Sequence, residues 1–248
     1  MSKYAAYSAS LSVGTPQVET AVVVVTTVTA GNANFTLTAS GMTGSPITTV
    51  VALAGGETAT GVATKAAAAM NLDANITALF SVVAHGDDIV VTRLIGAAND
   101  ATLNLAYADD TSGGLTDDAT SNDTTAGVAA SAIAAITNIG GPGLALDTED
   151  VTTHDQATAW EEVVGTILRS GEVTLDIVYD PATGSHDATT GLVYRLNGKI
   201  KSYFSLVFSD STAWTFNGYV TGFEPAEPVD GALTASATIK IDGQPTLA

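Results

Sequence analysis

The chain has 248 residues, with 26 acidic side chains against 8 basic ones and no cysteine. The formal net charge of −18 excludes tight binding to nucleic acid by counterion release and disfavours attraction to an anionic membrane. Without cysteine there are no disulfides, thiolate metal sites or cysteine nucleophiles. No apolar run is long enough for a membrane-spanning helix, and the first 15 residues hold no continuous apolar stretch, so we expect no secretory signal.

The N-terminal half, taken in chain order, alternates as strands do before one helix interrupts it. The abundance of Thr, Val, Ala and Gly already favours strands over helices, because β-branched side chains pack well on a pleated sheet. Predicted strands cover residues 4–13, 21–30, 35–39 and 47–53, with a turn at 31–34. Helical spacing of Val62, Ala66, Ala69 and Met70 predicts a helix over 57–71.

The region after this helix contains a predicted hairpin and then a polar stretch. Residues 81–84 and 89–94 pair across a turn at 85–88, and 102–106 form one further strand. Residues 109–127, rich in Asp, Thr, Ser and Gly, are interpreted as a linker. Residues 17–127 thus form an α+β module.

The C-terminal half is dominated by strands with one apolar and one hydrophilic face. Residues 131–139 fit a helix or a strand, whereas 172–179, 202–208, 214–223 and 232–241 are predicted strands. Ser185 is a candidate N-cap for a helix that runs to residue 197, with Gly198 as its C-cap. The hydrophilic side of the two cleanest strands consists of Glu172, Thr174, Asp176, Thr234, Ser236 and Thr238.

The sequence offers little that is typical of catalysis or of metal binding. His85, His154 and His186 each lie beside or near an Asp, and Ser185, His186 and Asp210 could be imagined as a triad. No nucleophile-elbow or zinc motif accompanies them, and the Asp-rich stretch lacks the spacing of a calcium loop. We therefore expect solvated histidines, no catalytic residue, no metal and no cofactor.

Several motifs in the C-terminal half together point to one family. They are the segment Asp150, Val151, Thr152, Thr153, His154 and Asp155 followed by Trp160, the strand starting at Gly171, the run from Trp214 to Pro225, and the closing stretch from Ala235 to Leu247. With these motifs the chain resembles the major tail tube proteins of long-tailed, siphovirus-type bacteriophages over residues 129–248.

The resemblance implies a mainly β fold, a tail-tube β-sandwich or barrel with a flanking α-helix. It implies a structural virion protein, made in the host cytoplasm, that forms stacked hexameric rings with tape measure, tail terminator and tip proteins as partners. DNA would pass through the tube without tight binding. The six hydrophilic-side residues would then face the lumen, and Asp150, Val151, Thr152, Thr153, His154, Asp155 and Trp160 would form an inter-ring or inter-subunit loop.

Compared with smaller relatives, about 110 residues intervene after the first strand. This predicts a discontinuous tube domain, 1–16 and 128–248, with 17–127 as an inserted α+β module on the outer surface. The insert carries 11 acids and 2 bases and the remainder 15 acids and 6 bases, so the lumen cannot account for all of the acidity. Residues 140–159 are expected to stay disordered until they dock on a neighbouring ring.

Two other classes of protein compete with this interpretation. A surface adhesin or carbohydrate-binding β-sandwich is also acidic, Thr-rich and free of cysteine, but it would need export. An enzyme would need a pocket with converging polar groups.

Overall fold

A computed structural model describes residues 9–154 and 160–247 of this chain, and its secondary structure is mainly β. Contacts divide the chain into two compact units: unit 1 is Met1–Val13 with Ser131–Ala248, and unit 2 is Gly14–Ala130. Within the described ranges, no helix has the length and apolar character needed to cross a bilayer.

The secondary-structure elements follow one another in this order. Up to Thr125 they are β1 (Ser10–Thr15), β2 (Val18–Val22), β3 (Val25–Thr29), β4 (Gly31–Thr38), β5 (Ile47–Leu53), α1 (Ala59–Met70), α2 (Ala74–Thr77), β6 (Phe80–His85), β7 (Asp88–Arg93), β8 (Asn104–Asp109), β9 (Gly113–Leu115) and β10 (Asn122–Thr125). After it they are β11 (Val128–Ala132), β12 (Ile136–Gly140), β13 (Ala145–Asp150), β14 (Val163–Arg169), β15 (Glu172–Val178), α3 (Leu192–Asn197), β16 (Ser202–Val207), β17 (Ala213–Ala226) and β18 (Thr234–Leu247).

Unit 2 encloses its core between small antiparallel sheets and α1. The sheets have the strand orders β10-β2-β7-β6, β5-β4-β8 and β3-β9. The predicted helix is confirmed as α1, where the Thr58 hydroxyl caps the first turn by accepting from the Gly61 N–H at 3.2 Å. Its buried side chains include Val62, Ala66 and Met70, so the apolar spacing seen in the sequence is the face that meets the core.

The turn predicted at residues 31–34 is wrong, because these residues belong to β4. Ala33, Phe35 and Leu37 are all buried, while Asn32 and Asn34 alternate with them on the other face. This two-residue period, with β5 and β8 paired on both sides, outweighs the turn preference of Gly and Asn.

The single strand predicted over residues 21–30 is in fact two strands, broken at Val23 and Val24. The phenol of Tyr107 holds the break, since its oxygen accepts from the Val24 N–H at 3.0 Å and donates to the Val22 carbonyl at 2.7 Å. The Tyr107 ring stacks on Phe35 in the core, with centroids 5.7 Å apart. The local alternation was identified correctly, but the partner that divides it lies far away in sequence.

The linker predicted over residues 109–127 is also wrong, because much of it is paired. β9 pairs with β3, and β10 pairs with β2. Asp109 organises the stretch, since its carboxylate accepts from the Ser112 hydroxyl at 2.7 Å and from the Leu115 N–H at 3.2 Å. Polar residues that favour turns here also supply side-chain hydrogen bonds that fix the chain.

Unit 1 is built on one seven-stranded sheet in the order β11-β1-β16-β17-β18-β15-β12. One side of the sheet carries the core, whose members include Leu11, Leu175, Leu192, Phe204 and Ile239. Strands predicted over 172–179, 202–208, 214–223 and 232–241 are confirmed as β15 to β18, although β17 and β18 each extend to 14 residues.

The helix predicted from Ser185 is confirmed only in its last six residues, as α3, which ends at the expected C-cap Gly198. Ser185 is not the N-cap, because its hydroxyl accepts from the Ala134 N–H at 3.1 Å. The Asp187 carboxylate instead accepts from the N–H groups of Thr189, Thr190 and Gly191. These bonds, led by that from the Thr189 hydroxyl, hold the pKa of Asp187 far below its usual range. They stabilise a turn where a helix was predicted.

Unit 1 also contains a hairpin that the sequence analysis did not predict. β13 and β14 pair with each other as a two-stranded sheet, from Ala145 opposite Arg169 to Asp150 opposite Val163. Within the segment expected to order only on docking, residues 145–150 form β13, and residues 155–159 lie outside the described ranges. The change in order on docking stays a prediction.

Candidate functional site

The six residues of the predicted hydrophilic side lie together on one face of β15 and β18. These strands are antiparallel neighbours, with Thr174 opposite Thr238, Asp176 opposite Ser236 and Val178 opposite Thr234. All six side chains are exposed or half-buried, whereas the residues between them are buried. We refer to the face formed by Glu172, Thr174, Asp176, Thr234, Ser236 and Thr238 as the polar face.

Hydrogen bonds order the polar face around Asp176. Its carboxylate accepts from the Ser236 hydroxyl at 2.6 Å and from the Asn138 amide, on β12, at 3.2 Å. The hydrogen bonds from Ser236 and Asn138 lower the pKa of Asp176. The carboxylate therefore stays charged at pH values below the usual pKa of an aspartic acid. Glu172 lies 3.5 Å from the Lys240 ammonium, which offsets one of the charges. The face is thus hydrophilic, uncrowded and mildly acidic.

The same surface continues onto β17. Glu224 pairs with Ser236 and is exposed, while Tyr219 pairs with Lys240 and is partly exposed. The surface therefore extends over four adjacent strands, from Asn138 on β12 to Glu224 on β17.

The β13–β14 hairpin has an unusual surface for a two-stranded sheet. Nearly every residue of both strands is exposed. Large apolar side chains make up much of that surface, and we call this set the apolar hairpin: Leu144, Leu146, Val151, Trp160, Val163, Val164, Ile167 and Leu168. An isolated hairpin is marginally stable in water, and contiguous apolar surface usually marks a protein interface.

Most of the predicted inter-subunit loop lies at the far end of this hairpin. Asp150 ends β13, and Val151 still donates to the Glu162 carbonyl at 2.8 Å. Thr152 extends the pairing, because its hydroxyl accepts from the Glu162 N–H at 2.9 Å. Thr153, His154 and Trp160 are exposed, and Asp155 is outside the described residues. Trp160 is 78% exposed. The structure therefore brings the described loop residues to one hairpin tip.

The apolar residues of β14 were missed by sequence reasoning, although a signal was present. Residues 163–168 are apolar or β-branched, except for Gly165. Such a run predicts a buried strand. It does not reveal that both faces of the strand stay outside the core of its own chain.

The three histidines differ in burial, and His85 and His154 are exposed. His186 is fully buried, so its prediction as a solvated residue is wrong. Its Nδ1 accepts from the Asp180 N–H at 3.3 Å and its Nε2 lies 2.9 Å from the Ala134 carbonyl oxygen, which accepts from it. The ring therefore joins two backbone segments. Residues 9–154 and 160–247 contain no group of His, Asp and Glu side chains suited to a metal ion.

Unit 2 has a shallow groove of about 370 Å³ beside β4 and β8, with both polar and apolar side chains in its lining. Hydrogen-bonding side chains line it: Asn34, Thr36, Thr48, Asp117 and Asp118. Its aromatic neighbour Tyr107 is buried and engaged with β2, so the groove has no exposed aromatic platform of the kind that stacks on sugar rings.

No family model matches the sequence. No curated protein matches it either. Among solved structures, part of the chain is similar to one from the virion of a native gene transfer agent particle, with 15% identity and a TM-score of 0.41 over 48% of this chain and 88% of that one. A second, from a sheath/tube terminator of an extracellular contractile injection system, has 12% identity and a TM-score of 0.37 over 46% and 84%.

Proposed function

We propose that this protein is a non-enzymatic structural subunit of a phage tail tube, which assembles into stacked hexameric rings around a channel for DNA. The apolar hairpin carries the proposal. A monomer that leaves two strands of apolar side chains in water has a strong tendency to bury them against another protein. A tube subunit has identical copies on several sides, and these supply that cover.

The tail tube motifs in the sequence and the hairpin support each other. The described motif residues from Asp150 to His154, together with Trp160, lie at the hairpin tip, and the motif strands are β15, β17 and β18. The motif residues thus contribute to the polar face and to the tip of the apolar hairpin.

The polar face is the proposed lining of the channel. Its Thr and Ser side chains offer hydroxyls without positive charge, and Glu172, Asp176 and Glu224 make it acidic. Acidic groups repel DNA phosphates over about 8 Å at physiological salt, whereas lysines would release counterions and retain the DNA. Unit 2, placed outside the tube, would not obstruct the passage.

The assembly is tested by negative-stain electron microscopy and sedimentation of the purified protein. Rings and long hollow tubes are expected, and they should dissociate when Ile167 on the hairpin is replaced by Glu. Dispersed monomers at every concentration would contradict the proposal.

The channel lining is tested by adding lysines to the polar face. Tubes of a Thr174→Lys/Thr238→Lys variant should retain a short DNA duplex at low salt and release it at high salt. The control is Thr64→Lys on α1, which is exposed in unit 2. Equal retention by the control would contradict the assignment of the polar face to the lumen.

A second candidate, carbohydrate binding by unit 2, is favoured only by the hydrogen-bonding side chains in the groove beside β4 and β8. Its carboxylates, amide and hydroxyls suit the hydroxyl groups of a sugar. Glycan-array binding that is lost in Asp118→Ala would support it, and binding without tube formation would favour an adhesin over a tube subunit.

A further inference from the structure

Unit 1 has an apolar pocket at the opposite end of the hairpin from Trp160. The pocket has a volume of about 600 Å³ and lies where the base of the hairpin meets the ends of β17 and β18. Its lining includes Leu144, Leu168, Arg169, Trp214, Pro245 and Leu247.

The local sequence explains why this pocket exists. β18 pairs with β17 from Thr234 to Asp242, with one irregularity between Val220 and Gly222, and the pairing resumes where Thr246 lies opposite Thr215. The extra residues between them, Gly243 to Pro245, bulge away from the ladder. Gly243 has a φ of +85°, which glycine tolerates and which turns the chain outward at this point.

We propose that this pocket receives Trp160 from a second copy of the chain. The inference rests on the proposed function and names the partner surface of the same assembly. The indole is the largest exposed apolar group at the hairpin tip, and the pocket is roomy enough for it and a neighbouring side chain. A buried Trp removes about 150–250 Å² from water, which makes it a strong anchor for an interface.

Geometry excludes the insertion of Trp160 into the pocket of its own chain, so the indole must come from another copy if it fills this pocket. The tip and the pocket lie at opposite ends of β14, whose seven residues span roughly 20 Å. A rigid hairpin cannot fold its own tip back onto its base. A knob at one end and a hole at the other instead produce a head-to-tail contact, and repeated contacts of this type form rings or filaments.

Charge at the two ends is complementary. Glu161 and Glu162 directly follow Trp160 in the sequence. Arg169 lies at the pocket, where its Nε donates to Asp147 Oδ2 at 2.7 Å. A guanidinium has five N–H donors, so Arg169 can bind a carboxylate of the incoming tip while it keeps the bond to Asp147.

The lack of native cysteine allows a direct test by cross-linking. Glu161→Cys places a thiol beside an intact Trp160, and Gln244→Cys places one at the pocket. A short bis-maleimide should join the two single variants when they are mixed, and neither variant should cross-link with itself. The control partner is Val229→Cys, which is fully exposed and outside the pocket lining.

Adding Trp160→Ala to the Glu161→Cys chain should abolish the adduct, and Trp160→Phe should restore part of it. Trp160→Ala alone should raise the protein concentration needed for assembly about tenfold or more, whereas Tyr194→Ala, another exposed aromatic of unit 1, should not. If Glu161→Cys joins itself or Val229→Cys as readily as Gln244→Cys, the pocket assignment is wrong.

Failure of the inference and of the proposed function can be told apart. If tubes form and the Glu161→Cys and Gln244→Cys chains within them do not cross-link, only the pocket assignment falls. If no rings or tubes form at any concentration, the tube proposal falls, whatever the cross-linking result.

Discussion

In unit 2 most apolar side chains of the strands point into one enclosed core, whereas in unit 1 a whole hairpin keeps such side chains outside. Unit 2 does expose apolar residues, among them Val50, Leu72 and Val83, but they belong to separate elements. In unit 1 they are concentrated on β13, β14 and the adjoining loop. Scattered exposure is normal for a surface, and concentrated exposure marks an interface. Unit 2 therefore buries most of its strand side chains within itself, whereas the proposed function assigns the exposed hairpin of unit 1 to a contact with another copy.

The largest expected effect concerns whether the two cores are independent. Phe35 in unit 2 and Phe204 in unit 1 are both fully buried and both stack on an aromatic neighbour. Phe35→Ala and Phe204→Ala should each lower the free energy of unfolding of its own unit by about 3–5 kcal/mol. Tryptophan fluorescence during urea unfolding reports on unit 1, which contains both Trp160 and Trp214.

Hydrogen exchange of the β4 and β8 peptides reports on unit 2 in the same samples. We expect Phe35→Ala to change exchange in β4 and β8 and to leave the fluorescence transition in place. If it shifts both measurements equally, the two units unfold as one cooperative structure and the comparison fails.

A smaller effect on assembly should distinguish an exposed valine of the hairpin from an exposed valine of unit 2. Val164 on the hairpin and Val50 on β5 are 52% and 56% exposed, so Val→Thr is the same change in the same setting. Each substitution should alter monomer stability by less than about 0.5 kcal/mol. Val164→Thr should also weaken assembly by about 1 kcal/mol or more, because a hydroxyl is then buried at the contact. Sedimentation measures the assembly of both variants. Equal assembly by Val164→Thr and Val50→Thr would show that the hairpin is not part of the interface.

The smallest expected effect lies in the pH dependence of unit 2. Burial raises the pKa of Glu19 in this unit, although hydrogen bonds from Ser121 and Gln17 act in the opposite direction. Because the pKa of Glu19 is higher in the folded state than in the unfolded state, this group does not lower the free energy of unfolding at low pH. As the pH rises above the unfolded-state pKa, the free energy of unfolding decreases, and the decrease reaches its full size above the folded-state pKa.

Glu19→Gln removes this decrease in the free energy of unfolding and can still bond with Ser121. The variant should have a higher urea midpoint than the wild type for unit 2 at about pH 7, with the difference shrinking toward about pH 4. The fluorescence transition of unit 1 serves as the internal control. A midpoint difference that does not depend on pH would show that charge at Glu19 is not the cause.

Sequence patterns predicted the elements in which neighbours along the chain define the structure. The period-two strands β15 and β18, the helical spacing of α1 and the hairpin of β6 and β7 all follow from side chains a few residues apart. The composition of the polar face was predicted for the same reason, since alternation along one strand decides which side chains share a side.

Only the tertiary structure decided the features that depend on distant partners. Tyr107 separates β2 from β3 through its hydrogen bonds. The strands β9 and β10 form because β3 and β2 pair with them. His186 is buried because its ring bonds to the backbone of Ala134 and Asp180. The run from Val163 to Leu168 looks the same in sequence whether it fills a core or covers a surface. Hydrophobicity favours the removal of these side chains from water, but the fold leaves them exposed because no described part of unit 1 covers them.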